Sequence, residues 1–308
     1  MMQSASEKLP RRDGPLNSLP PEEVEAVVRR ALAEDLGGVV EVTQDLTTAA
    51  CVSGSKQATA RLVAREGGVM AGVELFTATF CLLDSAAAVK VMRADGERFE
   101  RGEVLASVSC EAAAMLVAER TALNLLQRLC GVATCTAEFV ARAGGRARVL
   151  DTRKTTPGLR RLERHAVRCG GGENHRFGLS DEVMIKDNHL DLSGRSLEEV
   201  VKSARAAVTG SLRVTVEARD LSEARAAIQG GADVVMLDNI APKEMSAMLE
   251  ELRALTGDRP VEFEASGGVN LETIAAVAAC GVERVSVGAL THSAPAIDLA
   301  RHAKGYSL

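Results

Sequence analysis

From Gly145 onward the apolar and polar positions follow a repeating order. Short β-branched runs alternate with longer segments whose apolar residues recur three and four apart. The runs are RVLDT (148–152), EVMIKD (182–187), RVTVEA (213–218), VVMLDN (234–239), VEFEAS (261–266) and RVSVG (284–288). Between them lie SLEEVVKSARAAV (196–208), LSEARAAIQG (221–230), APKEMSAMLEELRAL (241–255) and LETIAAVAAC (271–280). Strand and helix in alternation predict a parallel sheet with helical crossovers. The earlier part of the chain reads differently. PPEEVEAVVRRALAEDL (20–36) predicts a helix ending near Gly37–Gly38. Lys56 to Cys110 holds short Val-rich strands broken by Gly, with a helix over Val73–Leu83 packed on the small sheet they form. Glu111 to Ala143 predicts a long helical stretch, with Gly131 and Gly144–Gly145 as its breaks.

Six strand–helix units with short connections suit an incomplete (β/α) barrel better than an open doubly wound sheet. The residues at the strand ends decide between the two. The carboxyl ends carry Thr152-Arg153-Lys154, Lys186-Asp187-Asn188, Glu217, Asp238, Glu264-Ala265-Ser266 and Gly288. A barrel gathers all these ends on one face, whereas an open sheet offers a single crevice at its switch point.

Composition narrows the function. Aromatic residues are 2% of the 308, with no Trp, so stacked platforms for nucleic-acid bases are excluded as an expectation. The net charge is −5, which makes any basic cluster a local feature and favours a small anionic ligand over nucleic acid. Seven cysteines form no CxxC pair, which points to reduced thiols in a cytoplasmic setting and away from zinc or disulfides. No apolar run is long enough to span a bilayer, and residues 1–20 read as a flexible tail with no signal-peptide core.

The stretch DTRKTTPGLRRLERHAVRCGGGENHRFGLSDEVMIKDNH (151–189) carries the chemistry. Arg160, Arg161, Arg164 and Arg168 read as the solvated face of a helix. Arg153, Lys154, His175, Arg176 and Lys186 do not, because they come after strands or a Gly-rich loop, where like charges converge only around a bound anion. Arg suits planar carboxylates and Lys suits phosphate. Glu217 and Asp238 at strand ends fit Mg2+ and sugar hydroxyls, with Glu264 a weaker candidate; internal salt bridges are the plain alternative. Ser266-Gly267-Gly268 and Gly288 offer backbone N–H groups to a phosphate, in turns leading into helices. His165 and His189 read as structural.

These blocks, DTRKTTPGLR, GGGENHR, IKDNH, VEA, LDN, EASGG and VGALTH, resemble the quinolinate phosphoribosyltransferase family from about Glu22 to His292. ALAEDL and DLTT resemble its amino-terminal segment. GGVVEVTQ (37–44) is longer than the usual connection there and leaves the role of Asp45 open. The resemblance implies an α/β fold: an N-terminal α/β sandwich (21–121), an incomplete α/β barrel (122–292) and a C-terminal helix (293–308). It implies a homodimer, or a higher assembly, with shared active sites. The implied reaction joins quinolinate to phosphoribosyl pyrophosphate, giving nicotinate mononucleotide, pyrophosphate and carbon dioxide in NAD biosynthesis. By the same resemblance Arg153, His175, Arg176 and Lys186 hold the two quinolinate carboxylates, and Arg120 enters the partner's pocket. Lys154 and Lys186 face pyrophosphate, Glu217 and Asp238 meet ribose and Mg2+, and Ser266, Gly267, Gly268, Gly288 and His292 surround the ribose phosphate. On the residues alone, a transferase for another planar acid, a non-catalytic phosphometabolite sensor and a phosphosugar isomerase remain alternatives. Two carboxylates call for more cations than one, a sensor needs no metal ligands, and an isomerase needs a poised acid and base.

Overall fold

The structure is a computed structural model describing residues 18–52, 56–208 and 212–303; the expected tail lies outside the described residues except for 18–20. The strands are β1 (Gln57–Ala64), β2 (Gly68–Val69), β3 (Ala88–Val91), β4 (Arg98–Phe99), β5 (Val104–Glu111), β6 (Arg148–Leu150), β7 (Val183–Ile185), β8 (Val214–Ala218), β9 (Val234–Asp238), β10 (Glu262–Ser266), β11 (Arg284–Ser286) and β12 (Leu299–Ala303). Two compact units result. One runs to Cys135 and takes in Gly158–Gly171 and the chain from Ala294; the other holds Thr136–Pro157 and Gly172–Ser293. The division falls at Cys135, inside the helix Ala112–Ala143, later than the expected boundary at 121.

In the first unit β12, β1, β5 and β3 form one antiparallel sheet in that order, and β2 pairs with β4. β1 alternates exposed and buried residues, as a strand with one wet face must. Its buried Ala58, Ala60 and Leu62 join Phe76, Phe80, Leu105, Val108 and Leu126 in one apolar cluster. The helix Pro21–Asp35 arises from Pro at its first position, an acidic first turn and buried Val24, Val27, Val28 and Leu32 on one stripe. Asp45 caps the helix Leu46–Cys51, accepting from the backbone N–H of Thr47 and Thr48 and from the Thr48 hydroxyl. The Thr48 hydroxyl bond, ahead of the backbone ones, draws the Asp45 carboxyl below its ordinary value. The DLTT block is thus a local cap.

Three expectations change here. Gly131 does not break its helix, which is continuous from Ala112 to Ala143. It is instead a contact point: a Cβ there would run into the backbone of Pro295 and Ala296. Within the described part, 293–303, the helix expected over 293–308 does not form: residues 299–303 are β12, antiparallel to β1. Pro295 lacks an N–H and disfavours helix, while the open edge of β1 offers unpaired backbone groups. Lastly, the basic helix Arg160–Cys169 belongs to this first unit, apart from the strands flanking it in sequence. Its Glu163 is buried and takes two bonds from Arg128, at 2.7 and 3.2 Å. Arg161 pairs with Glu23 on its outer face.

The second unit is a six-stranded parallel sheet in the order β6-β11-β10-β9-β8-β7. The strands run in sequence order except that the first lies beside the last. That is the order of a barrel opened between β6 and β7, and the expected incomplete barrel is what forms. A single parallel bridge, Leu150 to Glu173, takes up the free side of β6. No helix among the described residues is long and apolar enough to cross a membrane.

Candidate active site

The carboxyl ends of the six strands bring most of the expected residues into the second unit. Arg153 and Lys154 come directly after β6, both exposed, with the Lys154 N–H bonded to the Thr152 hydroxyl at 3.0 Å. Thr291 donates its hydroxyl to the Lys154 carbonyl at 2.8 Å, which ties this loop to the segment after β11. There Gly288 precedes the short helix Ala289–His292. A Cβ on Gly288 would lie 3.1 Å from both His292 Nε2 and Lys154 Cδ, so a lysine, a histidine and bare backbone meet at one point. That triplet can receive a phosphate.

Arg176 lies close to Arg153. Burial first, and then the Arg153 charge, lower the pKa of the Arg176 guanidinium, with Glu182 and Asp181 opposing. Its Nη1 donates to the Glu182 carbonyl at 3.1 Å. Two guanidinium groups brought near each other repel, and a planar dicarboxylate between them would relieve the repulsion. The loop carrying Arg176 is pinned by Asp151, which is fully buried. Asp151 accepts from the His175 N–H at 2.8 Å and from Asn174 Nδ2 at 2.6 Å.

Lys186 caps the helix Asp187–Ser193, and its ammonium pairs with Glu217 at the end of β8. His189 accepts from the Lys186 N–H at 2.9 Å, the structural part expected of it. Asp238 ends β9 and accepts from Asn239 Nδ2 at 2.7 Å. Asn239 has φ 56 and donates its N–H to the Ser266 carbonyl at 2.9 Å, joining the ends of β9 and β10. Gly267 is required beside it: φ is +93, and a Cβ would fall 2.9 Å from Asn239 N and closer still to its amide. Gly268 comes next at φ +61. Ser266-Gly267-Gly268 does not start a helix, since the next one begins at Ile274. Any anion held there is held by the turn itself.

Three expected residues have surroundings that the sequence did not show. His175 is buried and both ring nitrogens face protein: Nδ1 accepts from the Arg176 N–H at 2.7 Å, and Nε2 lies 3.3 Å from Glu264 Oε1. Glu264 is wholly buried. Arg120 belongs to the first unit, exposed on the helix Ala112–Ala143, and makes no hydrogen bond or ion pair among the described residues. Sequence reasoning passed over Asp151, Asn239 and Arg284. A signal existed for Arg284, since the polar residues of VEFEAS and RVSVG alternate with apolar ones and must share one face.

One other cluster has ligand-type atoms, Asp95, His165 and Cys169 in the first unit. The Asp95 carboxylate already accepts from the N–H groups of Gly72 and Val73 and bonds His165 at 2.7 Å, so it caps the helix Val73–Leu83 and anchors the basic helix.

Comparison with known sequences places a boundary within the same long helix, a few residues before Cys135. The profile described as quinolinate phosphoribosyl transferase, N-terminal domain, matches residues 45–130, and its C-terminal counterpart matches 132–301. The chain belongs to this family. It is 42% identical over 267 residues to the probable nicotinate-nucleotide pyrophosphorylase [carboxylating] of Bacillus subtilis, covering 86% of this chain and 88% of that one. It is 39% identical over 299 residues to the Arabidopsis thaliana enzyme of that name, described as chloroplastic, covering 92% and 83%. Among solved structures, NadC from Streptococcus pyogenes is 36% identical with a TM-score of 0.84, covering 92% of this chain and 98% of that one.

Proposed function

We propose that this protein transfers the phosphoribosyl group of phosphoribosyl pyrophosphate to quinolinate and releases carbon dioxide, forming nicotinate mononucleotide for NAD biosynthesis. The observation that carries the reading is the convergence of Arg153 and Arg176 beside a turn-and-glycine phosphate cradle, on one face of a family barrel. Arg153, Arg176 and Lys186 receive the two carboxylates. Lys154, Gly288 and His292 receive a phosphate, together with Ser266, Gly267 and Gly268.

The pyridine nitrogen attacks the anomeric carbon as its bond to pyrophosphate breaks, and the bonding electrons leave with pyrophosphate. Lys154 and Lys186 stabilise the charge that builds there, and no covalent nucleophile is required. The ring nitrogen is then cationic. The bond from the adjacent carbon to its carboxylate breaks, the electron pair stays beside that nitrogen, and a proton replaces the departing carbon dioxide.

Glu217 and Asp238 are hard oxygen donors at the ends of adjacent strands β8 and β9, which fits Mg2+ held by one or two carboxylates with phosphate oxygens completing the shell. Bound there, the ion would neutralise pyrophosphate charge. We further propose a cytoplasmic homodimer in which Arg120 serves the other subunit's pocket. The deciding assay offers quinolinate or nicotinate with phosphoribosyl pyrophosphate and Mg2+ and measures carbon dioxide and mononucleotide. Turnover of nicotinate with none of quinolinate would overturn the reading.

A further inference from the structure

Phosphoribosyl transfer as derived above makes no use of Glu264, yet its side chain is fully buried and ionisable. It lies on the same face of β10 as Glu262 and Ser266 on either side of it along the strand. Its Oε2 lies 2.9 Å from Arg284 Nε on β11, and its Oε1 3.3 Å from His175 Nε2. Arg284 reaches on to Glu262 at 3.5 Å, and Glu262 accepts from Arg148 at 2.5 Å. Arg148 in turn approaches Glu173 at 3.5 Å. Charges of alternating sign therefore run across one face of β6, β11 and β10 and end on one imidazole.

Such a ladder is a poor device for stability, because apolar packing of the same volume commonly does as well without dehydrating charges. Its geometry explains it better. Since Nδ1 of His175 accepts the Arg176 N–H, the ring proton must sit on Nε2, the nitrogen turned to Glu264. The imidazole thus stands between the backbone of Arg176, bonded to Nδ1, and the Glu264 carboxylate, which lies within ion-pair range of Nε2 without hydrogen-bond geometry. Asp151 grips the same loop one bond earlier, through the His175 N–H. Burial alone would raise the Glu264 carboxyl; the contacts to His175 and to the Arg284 guanidinium outweigh it and keep the group ionised.

We propose that Glu264, braced by Arg284, is a positioning residue that fixes the tautomer and angle of His175, and through it presents the Arg176 guanidinium beside Arg153 to a substrate carboxylate. His175 then stands behind Arg176 and does not itself meet the substrate. The kinetic side of this rests on the proposed reaction; the tautomer does not.

The test has two arms. Nitrogen-15 spectra of histidine-labelled protein report which ring nitrogen carries the proton, and His175→Asn identifies the His175 signal among the five histidines. Wild type should show a fixed Nε2–H form, and Glu264→Gln should show mixed tautomers. In the kinetic arm Glu264→Gln should raise KM for quinolinate about tenfold or more, the scale on which removing an outer partner of a functional side chain acts. kcat and KM for phosphoribosyl pyrophosphate should stay within roughly a factor of three, less than the outer-partner effect just given. An Nδ1–H form in wild type overturns the proposal even if the variant fails to fold. So does a uniform change in kcat and both KM values, the mark of a merely structural residue. A wild type that consumes no quinolinate would count against the reaction, and the spectra alone would then decide the positioning.

Discussion

Gly131→Ala gives two opposite expectations, depending on why the glycine is there. In a helix interior Ala is favoured over Gly by about 1 kcal/mol, so a residue that only weakened the helix would yield a more stable protein when replaced. The structure predicts the reverse. A Cβ on Gly131 would lie 2.9 Å from the Pro295 carbonyl carbon and 3.1 Å from Ala296 Cα, and nearer still to the Pro295 oxygen. Carbon contacts settle at about 3.5–4.0 Å, so helix and segment must part by roughly an ångström. Three hydrogen bonds secure that segment: Ile297 N–H to the Gln127 carbonyl at 3.1 Å, Arg128 Nη1 to the Ala294 carbonyl at 2.8 Å, and Gln127 Nε2 to the Leu299 carbonyl at 3.1 Å. Their loss at about 0.5–1.5 kcal/mol each, with the strain of overpacking, exceeds the gain in propensity and leaves a net cost of about 2–4 kcal/mol. Urea denaturation monitored by circular dichroism measures it, since the chain has no Trp and one Tyr. Unchanged or increased stability would refute the close-contact reading.

Gly267→Ala should leave the protein folded and raise KM for phosphoribosyl pyrophosphate, because the positive φ and the Asn239 contact force the turn at a cost of about 1–3 kcal/mol; an unchanged KM would show that the turn does not touch the phosphate. Glu264 has its folded-state pKa held below 4.5, so its ionic contribution is fully present above that value and is lost as pH falls through the folded value. The stability of wild type relative to Glu264→Gln should therefore hold steady in the neutral range and decline below 4.5; a rise there would contradict the sign. Arg120→Ala and Arg153→Ala should each be nearly inactive, and unfolding and refolding them together should restore about a quarter of wild-type activity by random pairing. Recovery no greater than the sum of the two, in a mixture shown to contain heterodimers, would assign Arg120 to its own chain or to nothing.

Where a residue's neighbours in space are also its neighbours in sequence, the chain was legible. Six β-branched runs followed at their carboxyl ends by Arg153, Lys186, Glu217, Asp238, Ser266 and Gly288 became the parallel sheet, and crossover connections put every carboxyl end on the same side. Long-range partners were not legible. Nothing local tells that Pro295 packs on Gly131, that the segment at 299–303 pairs with β1, or that the basic helix joins a unit other than that of its flanking strands. Nothing near His175 in sequence tells that Glu264, 89 positions later, lies against its ring. Burial, which converts a polar residue from ligand to brace, is a property of the folded whole.

The strand at residues 299–303 also sets a schedule. β1 and β5 leave the ribosome early, but the edge partner of β1 lies 188 residues beyond the end of β5. At about 5–20 residues per second, roughly 10–40 s pass before β12 exists. Throughout that interval β1 carries an unpaired hydrogen-bonding edge, the kind of surface on which nascent chains join one another. The amino-terminal unit, begun first, thus waits for residues 299–303 before its sheet is complete, and a cell making this protein in quantity must shield that edge until they are made.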